Sequence, residues 1–112
     1  MFADWKNDVT HVKKSFGELG KKYPKMLQAY GALNAAAAEG NVLDAKTREL
    51  IALAVAVTTR CETCIAVHAA DAIKAGATEE EVAAALATAI ASNAGAAYTY
   101  SLRALEAYNE QK

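Results

Sequence analysis

Between Glu49 and His68 the chain reads ELIALAVAVTTRCETCIAVH, and this stretch limits the fold more than any other. Residues 50 to 57 are apolar on every side of a helix, so a helix there has no polar face and is expected to be buried among its neighbours. The β-branched residues of AVAVTT also suit a strand, but the run continues a long helical stretch and no second strand is available to pair with it. A helix is therefore predicted from about 45 to 59, with Asp44 as its N-cap. A short break near Thr59 and Arg60 leads into the next helix, from Cys61 to about Ala75, which Gly76 ends.

The flanking sequence follows the same pattern. A first helix is expected over residues 4 to 19, with Val9, Val12, Phe16 and Leu19 on one stripe and Gly20 as its stop. Pro24 suits the first turn of a second helix, where Met26, Leu27, Tyr30 and Leu33 make the apolar side before a stop at Gly40. Thr78 followed by Glu81 is a capping box, which opens a fifth helix through Val82, Leu86 and Ile90. Asn93 and Gly95 are expected to break it. A sixth, from about 96 to 110, would place Tyr98, Leu102, Leu105 and Tyr108 in a core or a subunit interface. About a quarter of the residues are alanine and only one is proline, a composition that favours close-packed helices. The expectation is a single all-α domain over residues 1–112, a compact bundle of about six helices, with the CxxC at the N-terminus of a central helix. Large core side chains are few for this length, which points to a homo-oligomer.

Charge excludes several functions. The formal net charge is −1 with acids and bases interspersed, so there is no electrostatic footprint for nucleic acid or an anionic membrane. No apolar run is long enough for a membrane span. The first residues, MFADWKNDV, read as neither a secretory signal nor a transit peptide, so a cytoplasmic location is expected. There, a CxxC is a redox or metal group before it is a structural staple. The glycines are isolated, so no phosphate-binding loop is present and no bound nicotinamide or flavin is expected. His11, among Lys and Asp residues, reads as an exposed surface histidine.

Cys61, Cys64 and His68 are three and four residues apart and share one face of a helix. A CxxC at a helix N-terminus gains from unpaired backbone N–H groups and the positive end of the dipole, both of which stabilise a thiolate, the nucleophilic form. Arg60 adds to this and Glu62 works against it. His68, one turn beyond Cys64, is placed to take its proton and leave Cys64 as the nucleophile with Cys61 as the resolving thiol. The reverse order has a precedent in thioredoxin-type sites. Glu49, at the start of the buried helix, suits a proton shuttle to His68, directly or through water; the competing reading is a first-turn glutamate that favours the helix dipole and pairs with Lys46. Zinc is the rival for the whole set, since Cys, His and Glu are all ligand types. Three candidates on one helix of a bundle that folds without a metal argue against it, and no metal is expected. Covalent haem attachment needs a histidine directly after the second cysteine, where Ile65 stands.

At these residues the chain resembles the alkylhydroperoxidase D-like branch of the carboxymuconolactone decarboxylase family. The resemblance rests on Glu49, eleven intervening residues, Cys61-x-x-Cys64, three residues and His68. It extends to LDAKTRELIALAVAV before them, AGATEEEV after them, and the Ala- and Tyr-bearing end of the chain, covering most of the sequence from about Tyr23. It implies an all-helical fold with the redox centre near a subunit interface, in trimers or hexamers. It also implies catalysis by Cys64 as peroxidatic and Cys61 as resolving thiol, with His68 and Glu49 as proton relay. One departure is visible: characterised alkylhydroperoxidase D proteins often carry a second histidine directly before the second cysteine, and here that residue is Thr63.

The function expected is therefore a thiol-dependent peroxidase or disulfide reductase of peroxiredoxin-type activity. It holds no bound cofactor, and an external dithiol, lipoyl or thioredoxin-like, resets its Cys61/Cys64 disulfide. The alternatives are a lactone decarboxylase-like acid–base enzyme, which needs no dithiol, a non-catalytic redox-sensing module, and a structural zinc module.

Overall fold

The structure is a computed structural model in which residues 2–112 are described. Five α-helices and one 3-10 turn, over Glu39–Asn41, account for its regular structure, and no strand occurs among the described residues. They are α1 (Trp5–Lys22), α2 (Pro24–Ala36), α3 (Ala45–Thr59), α4 (Glu62–Lys74) and α5 (Glu79–Gln111).

Local signals set most boundaries. Asp44 caps α3 by accepting the Thr47 N–H at 2.8 Å, one of the donors that a helix start leaves unpaired. Arg60 ends α3 in the left-handed region at φ 56°, ψ 46°. The Cys61 N–H then donates back to the Ala56 carbonyl at 3.0 Å, a C-terminal closure that satisfies an orphan carbonyl and turns the chain sharply into α4. Gly76, at φ 85°, does the same after α4. Both halves of the Thr78/Glu81 capping box are formed, at 3.0 and 3.1 Å.

Three expectations are corrected. Gly20 does not end α1, which runs to Lys22 and stops where Tyr23 precedes Pro24, a position the proline ring keeps out of helical geometry. Gly20 is buried instead, and a Cβ there would collide with the Leu27 side chain of α2. Its smallness lets α1 and α2 meet. The second correction is the helix count: Asn93 and Gly95 do not break the fifth helix, so the fifth and sixth are one helix of 33 residues, about 50 Å long. Asn93 is held in it by donating from Nδ2 to Thr58 Oγ1 of α3 at 2.8 Å. The third concerns α3, which is not buried all round. Leu53 and Ala56 face the core, while Ile51 and Val55 remain about half exposed, 48% and 54%, because α4 and α5 cover only part of its circumference.

The packed centre is α3 against α4 and against the first half of α5, with Leu53, Ala56, Ala66, Ala72 and Ala89 buried. Around it α1 touches α4, and α2 packs on α1, with the Phe16 and Tyr30 rings 5.6 Å apart. The radius of gyration is 18.1 Å, against about 13 Å for a monomeric domain of this length. The difference comes from the protruding second half of α5 and the α1–α2 hairpin.

Candidate functional site

The site forms where α3 delivers Glu49 and α4 delivers both cysteines and His68. Cys61 is the N-cap of α4. Its Sγ accepts the Cys64 N–H at 3.2 Å and lies 3.5 Å from the Thr63 hydroxyl. The sequence places Cys61 here because the Arg60 turn swings the backbone out of α3 immediately before it. Cys64 follows in the first helical turn, and the two sulfurs are joined in a disulfide with Cα atoms 5.2 Å apart. The pair is thus at the positive end of α4, with the Cys64 N–H directed at the Cys61 sulfur.

One turn further along, His68 Nδ1 lies 2.7 Å from Glu49 Oε2. The two side chains are 30% and 22% exposed, so the contact is shielded from bulk water yet open on one side. An ionised carboxylate only accepts hydrogen bonds, so Nδ1–H donates to Glu49 and Nε2 keeps its lone pair for a proton from elsewhere. Among the described residues no hydrogen bond joins either sulfur of the disulfide to His68. The alternative partner for Glu49 is not used: Lys46 pairs with Glu81 of α5 at 2.8 Å. That pair, both groups partly exposed, holds Glu81 below its ordinary carboxyl value and raises Lys46. It ties the start of α3 to the start of α5 and leaves Glu49 to His68.

Two features of the surroundings were not read from the sequence. Asp71 lies three residues beyond His68 on α4, and one oxygen or nitrogen from each of Glu49, His68 and Asp71 falls within 4.8 Å of the others. The zinc ligands weighed from the sequence combined Glu49 and His68 with the cysteines; here the sulfurs are bonded to each other and the third converging group is a carboxylate. The spacing of three was the available signal. The second feature is a cleft of about 290 Å³ between α1 and the head of α4, bordered by Asp8, His11, Ser15 and Thr63. His11 is exposed as expected, and it borders the same cleft as Thr63 of the CxxC.

Fold and site together define an all-helical protein with a disulfide-forming CxxC capping a central helix and a carboxylate–imidazole pair beside it. The carboxymuconolactone decarboxylase family is matched over residues 24–107, and the chain belongs to that family. An uncharacterised protein of Haemophilus influenzae is 83% identical over 112 residues, covering 100% of this chain and 99% of that one. An uncharacterised protein of Cupriavidus necator is 34% identical over 105 residues, covering 94% and 93%. Among solved structures, the apo form of a carboxymuconolactone decarboxylase family protein from Legionella pneumophila is similar with a TM-score of 0.75 at 32% identity, covering 95% of both chains. The Glu49, CxxC and His68 spacing is consistent with the alkylhydroperoxidase D-like branch. No helix among the described residues is long and apolar enough to cross a membrane.

Proposed function

We propose that this protein is a thiol-dependent peroxidase or disulfide reductase whose working group is the Cys61/Cys64 dithiol. The observation that carries the reading is the pair itself: two cysteines bonded at the N-terminus of α4, with the Glu49–His68 pair one turn away. Membership of the family is compatible with it. In the reduced protein, His68 Nε2 takes the proton of Cys64, directly or through a water, and Glu49 steadies the imidazolium through Nδ1. The Cys64 thiolate attacks the terminal oxygen of a hydroperoxide, the O–O bond breaks, and the departing alkoxide takes a proton to leave as an alcohol. Cys64 is then a sulfenic acid. Cys61 attacks its sulfur, water leaves, and the disulfide forms. With a disulfide substrate the same thiolate attacks one sulfur to form a mixed disulfide and release one thiolate; Cys61 then attacks the Cys64 sulfur, and the partner leaves as a dithiol.

Resetting the enzyme requires an external dithiol, a lipoyl group or a thioredoxin-like protein, which gives up two electrons and becomes oxidised. Attack at Cys64 releases Cys61 as the leaving thiolate. The Cys64 N–H and the Thr63 hydroxyl stand beside the Cys61 sulfur to receive that charge, and a stabilised thiolate leaves faster. Thr63 thus supplies a donor where related proteins often carry a second histidine. We further propose that the protein works as a homo-oligomer, trimer or hexamer, in the cytoplasm. The surface of one chain is 8931 Å², against about 5,900 Å² for a monomer of this mass. An excess of that size is what a large obligate interface covers.

The test is a thiol titration of the reduced, metal-free protein before and after one equivalent of tert-butyl hydroperoxide, with mass spectrometry of the Cys61–Cys64 peptide. Loss of both thiols together with a two-hydrogen mass decrease is expected. A Cys61→Ser chain should still consume one equivalent and gain one oxygen at Cys64, while Cys64→Ser should consume none. Thiols that survive the hydroperoxide would sink the reading, and turnover of a lactone with both thiols blocked would replace it with acid–base chemistry at Glu49 and His68.

A further inference from the structure

Asp71 is the member of the cluster that neither the sequence pattern nor the hydrogen bonds explain. It sits half-buried in the last turn of α4, where the negative end of the helix dipole disfavours a carboxylate. Its side chain makes no hydrogen bond and no ion pair among the described residues, although Lys74 is only three residues away. A carboxylate kept for solubility would stand in open water, and one kept for stability would have a partner. Asp71 has neither surrounding.

What it does have is His68 and Glu49, within 4.8 Å by their nearest donor atoms. Helical side chains lean towards the helix N-terminus. Along α4, Asp71 therefore leans over His68, and His68 leans over Cys64, while Glu49 enters from α3. Two carboxylates this close repel one another when both are ionised, and a cation among them relieves the repulsion. Within the cluster only His68 can become that cation.

We propose that Asp71 is a positioning residue of the proton relay. With Glu49, it favours His68 as the imidazolium that forms when Cys64 gives up its thiol proton. The inference rests on the roles given above to Cys64 and His68. In the step it assists, the S–H bond of Cys64 breaks, the electron pair stays on sulfur, the proton goes to His68 Nε2, and nothing is oxidised. Glu49 supplies the hydrogen bond that fixes the ring; Asp71 supplies charge without a bond. Its charge should therefore matter more than its shape.

The experiment follows the rate at which iodoacetamide alkylates the fully reduced protein at neutral pH, in the wild type, Asp71→Asn, Asp71→Glu, His68→Gln and the His68→Gln, Asp71→Asn double variant. Asp71→Asn should slow alkylation about three- to tenfold, the effect of one charge about 5 Å from an imidazolium when solvent on the open side keeps the effective dielectric close to that of water. The melting temperature should stay that of the wild type, and Asp71→Glu should restore most of the rate. In the His68→Gln background the Asn change should add nothing, because Asp71 acts through the imidazole. Three results would overturn the proposal: an Asp71→Asn rate equal to wild type, an equal slowing in the His68→Gln background, or a wild-type rate that EDTA alters, which would make the cluster a cation site. Consumption of tert-butyl hydroperoxide, followed on the same samples, separates the two readings. Alkylation that depends on Asp71 with no peroxide consumed removes the peroxidase and keeps the relay; peroxide consumed with alkylation indifferent to Asp71 does the reverse.

Discussion

The two halves of α5 belong to one unbroken helix and present two different surfaces. In the first half, Thr78 and Glu81 form the cap, Glu81 pairs with Lys46, Ala89 is buried, and Asn93 bonds to Thr58. In the second half, Tyr98, Tyr100, Leu102, Leu105 and Tyr108 are all more than half exposed. The second half carries the larger apolar side chains, yet the alanine-rich first half is the one that is packed. Burial here follows the presence of a facing helix. Small residues let α5 approach α3 closely, whereas the large side chains of the second half stay more than half exposed, with Arg103 of the same helix over the Tyr100 ring. The chemistry belongs with the packed half, since Glu49, the cysteines and His68 all lie on the two helices at that centre.

The comparison breaks most severely at Ala89. Replacing it with Asp puts an unpaired charge between α5 and the core, a change of the kind that costs more than about 4 kcal/mol. Loss of the cooperative thermal transition in circular dichroism is expected, and a folded, wild-type-like melt would mean that the first half of α5 is not the packed half. Paired Leu102→Asp and Leu105→Asp changes at the other end should act on assembly instead. Sedimentation should show a lighter particle, while helical content and the iodoacetamide reactivity of the reduced CxxC stay close to wild type. If the mass is unchanged, these side chains are not the covered surface. Asn93→Ala probes the junction between the halves. Losing one exposed hydrogen bond should cost about 0.5 kcal/mol, the low end for a typical hydrogen bond, read as a small fall in melting temperature, and none if the Thr58 bond does not hold α5 against α3.

The same contrast explains which parts of the fold were legible in the sequence. Asp44, Arg60, Gly76, Thr78 and Glu81 act on backbone groups within a few residues, so the boundaries of α3 and α4 and the start of α5 could be read directly. Gly20 and Asn93 were misread because their roles depend on residues distant in sequence. Gly20 answers to Leu27 across the α1–α2 junction, and Asn93 to Thr58, thirty-five positions away. Within the site, the spacing from Glu49 to His68 gave the residues, and the structure adds that they meet at 2.7 Å. Asp71 was missed because an acid in the last turn of a helix looks like an ordinary solvated residue until the arrival of Glu49 from α3 is known.

The smallest expected effect is a dependence on pH at the start of α5. Glu81 has its carboxyl value held below the ordinary 4.5, first by the Lys46 hydrogen bond and then by the Thr78 N–H. A carboxylate with a depressed folded value adds stability above the unfolded value, and that contribution is lost as pH falls through the folded one. Lys46, raised from 10.5 chiefly by Glu81, contributes below its unfolded value and loses that contribution as pH rises through the folded one. The pair therefore stabilises evenly between these limits and weakens below about pH 4.5. Glu81→Gln should lower the melting temperature slightly at pH 7, where solvent screening keeps an exposed pair weak. The gap to wild type should narrow as pH drops through the acid range. Asp44 is also held low, first by the backbone N–H of Thr47, but it is present in both proteins and cancels in the comparison. A gap of equal size at pH 3 and pH 7 would mean that the charge of Glu81 contributes nothing to stability, through Lys46 or through the cap bond. The first half of α5 would then be anchored by its own helix start and by Asn93, with no electrostatic tie to α3.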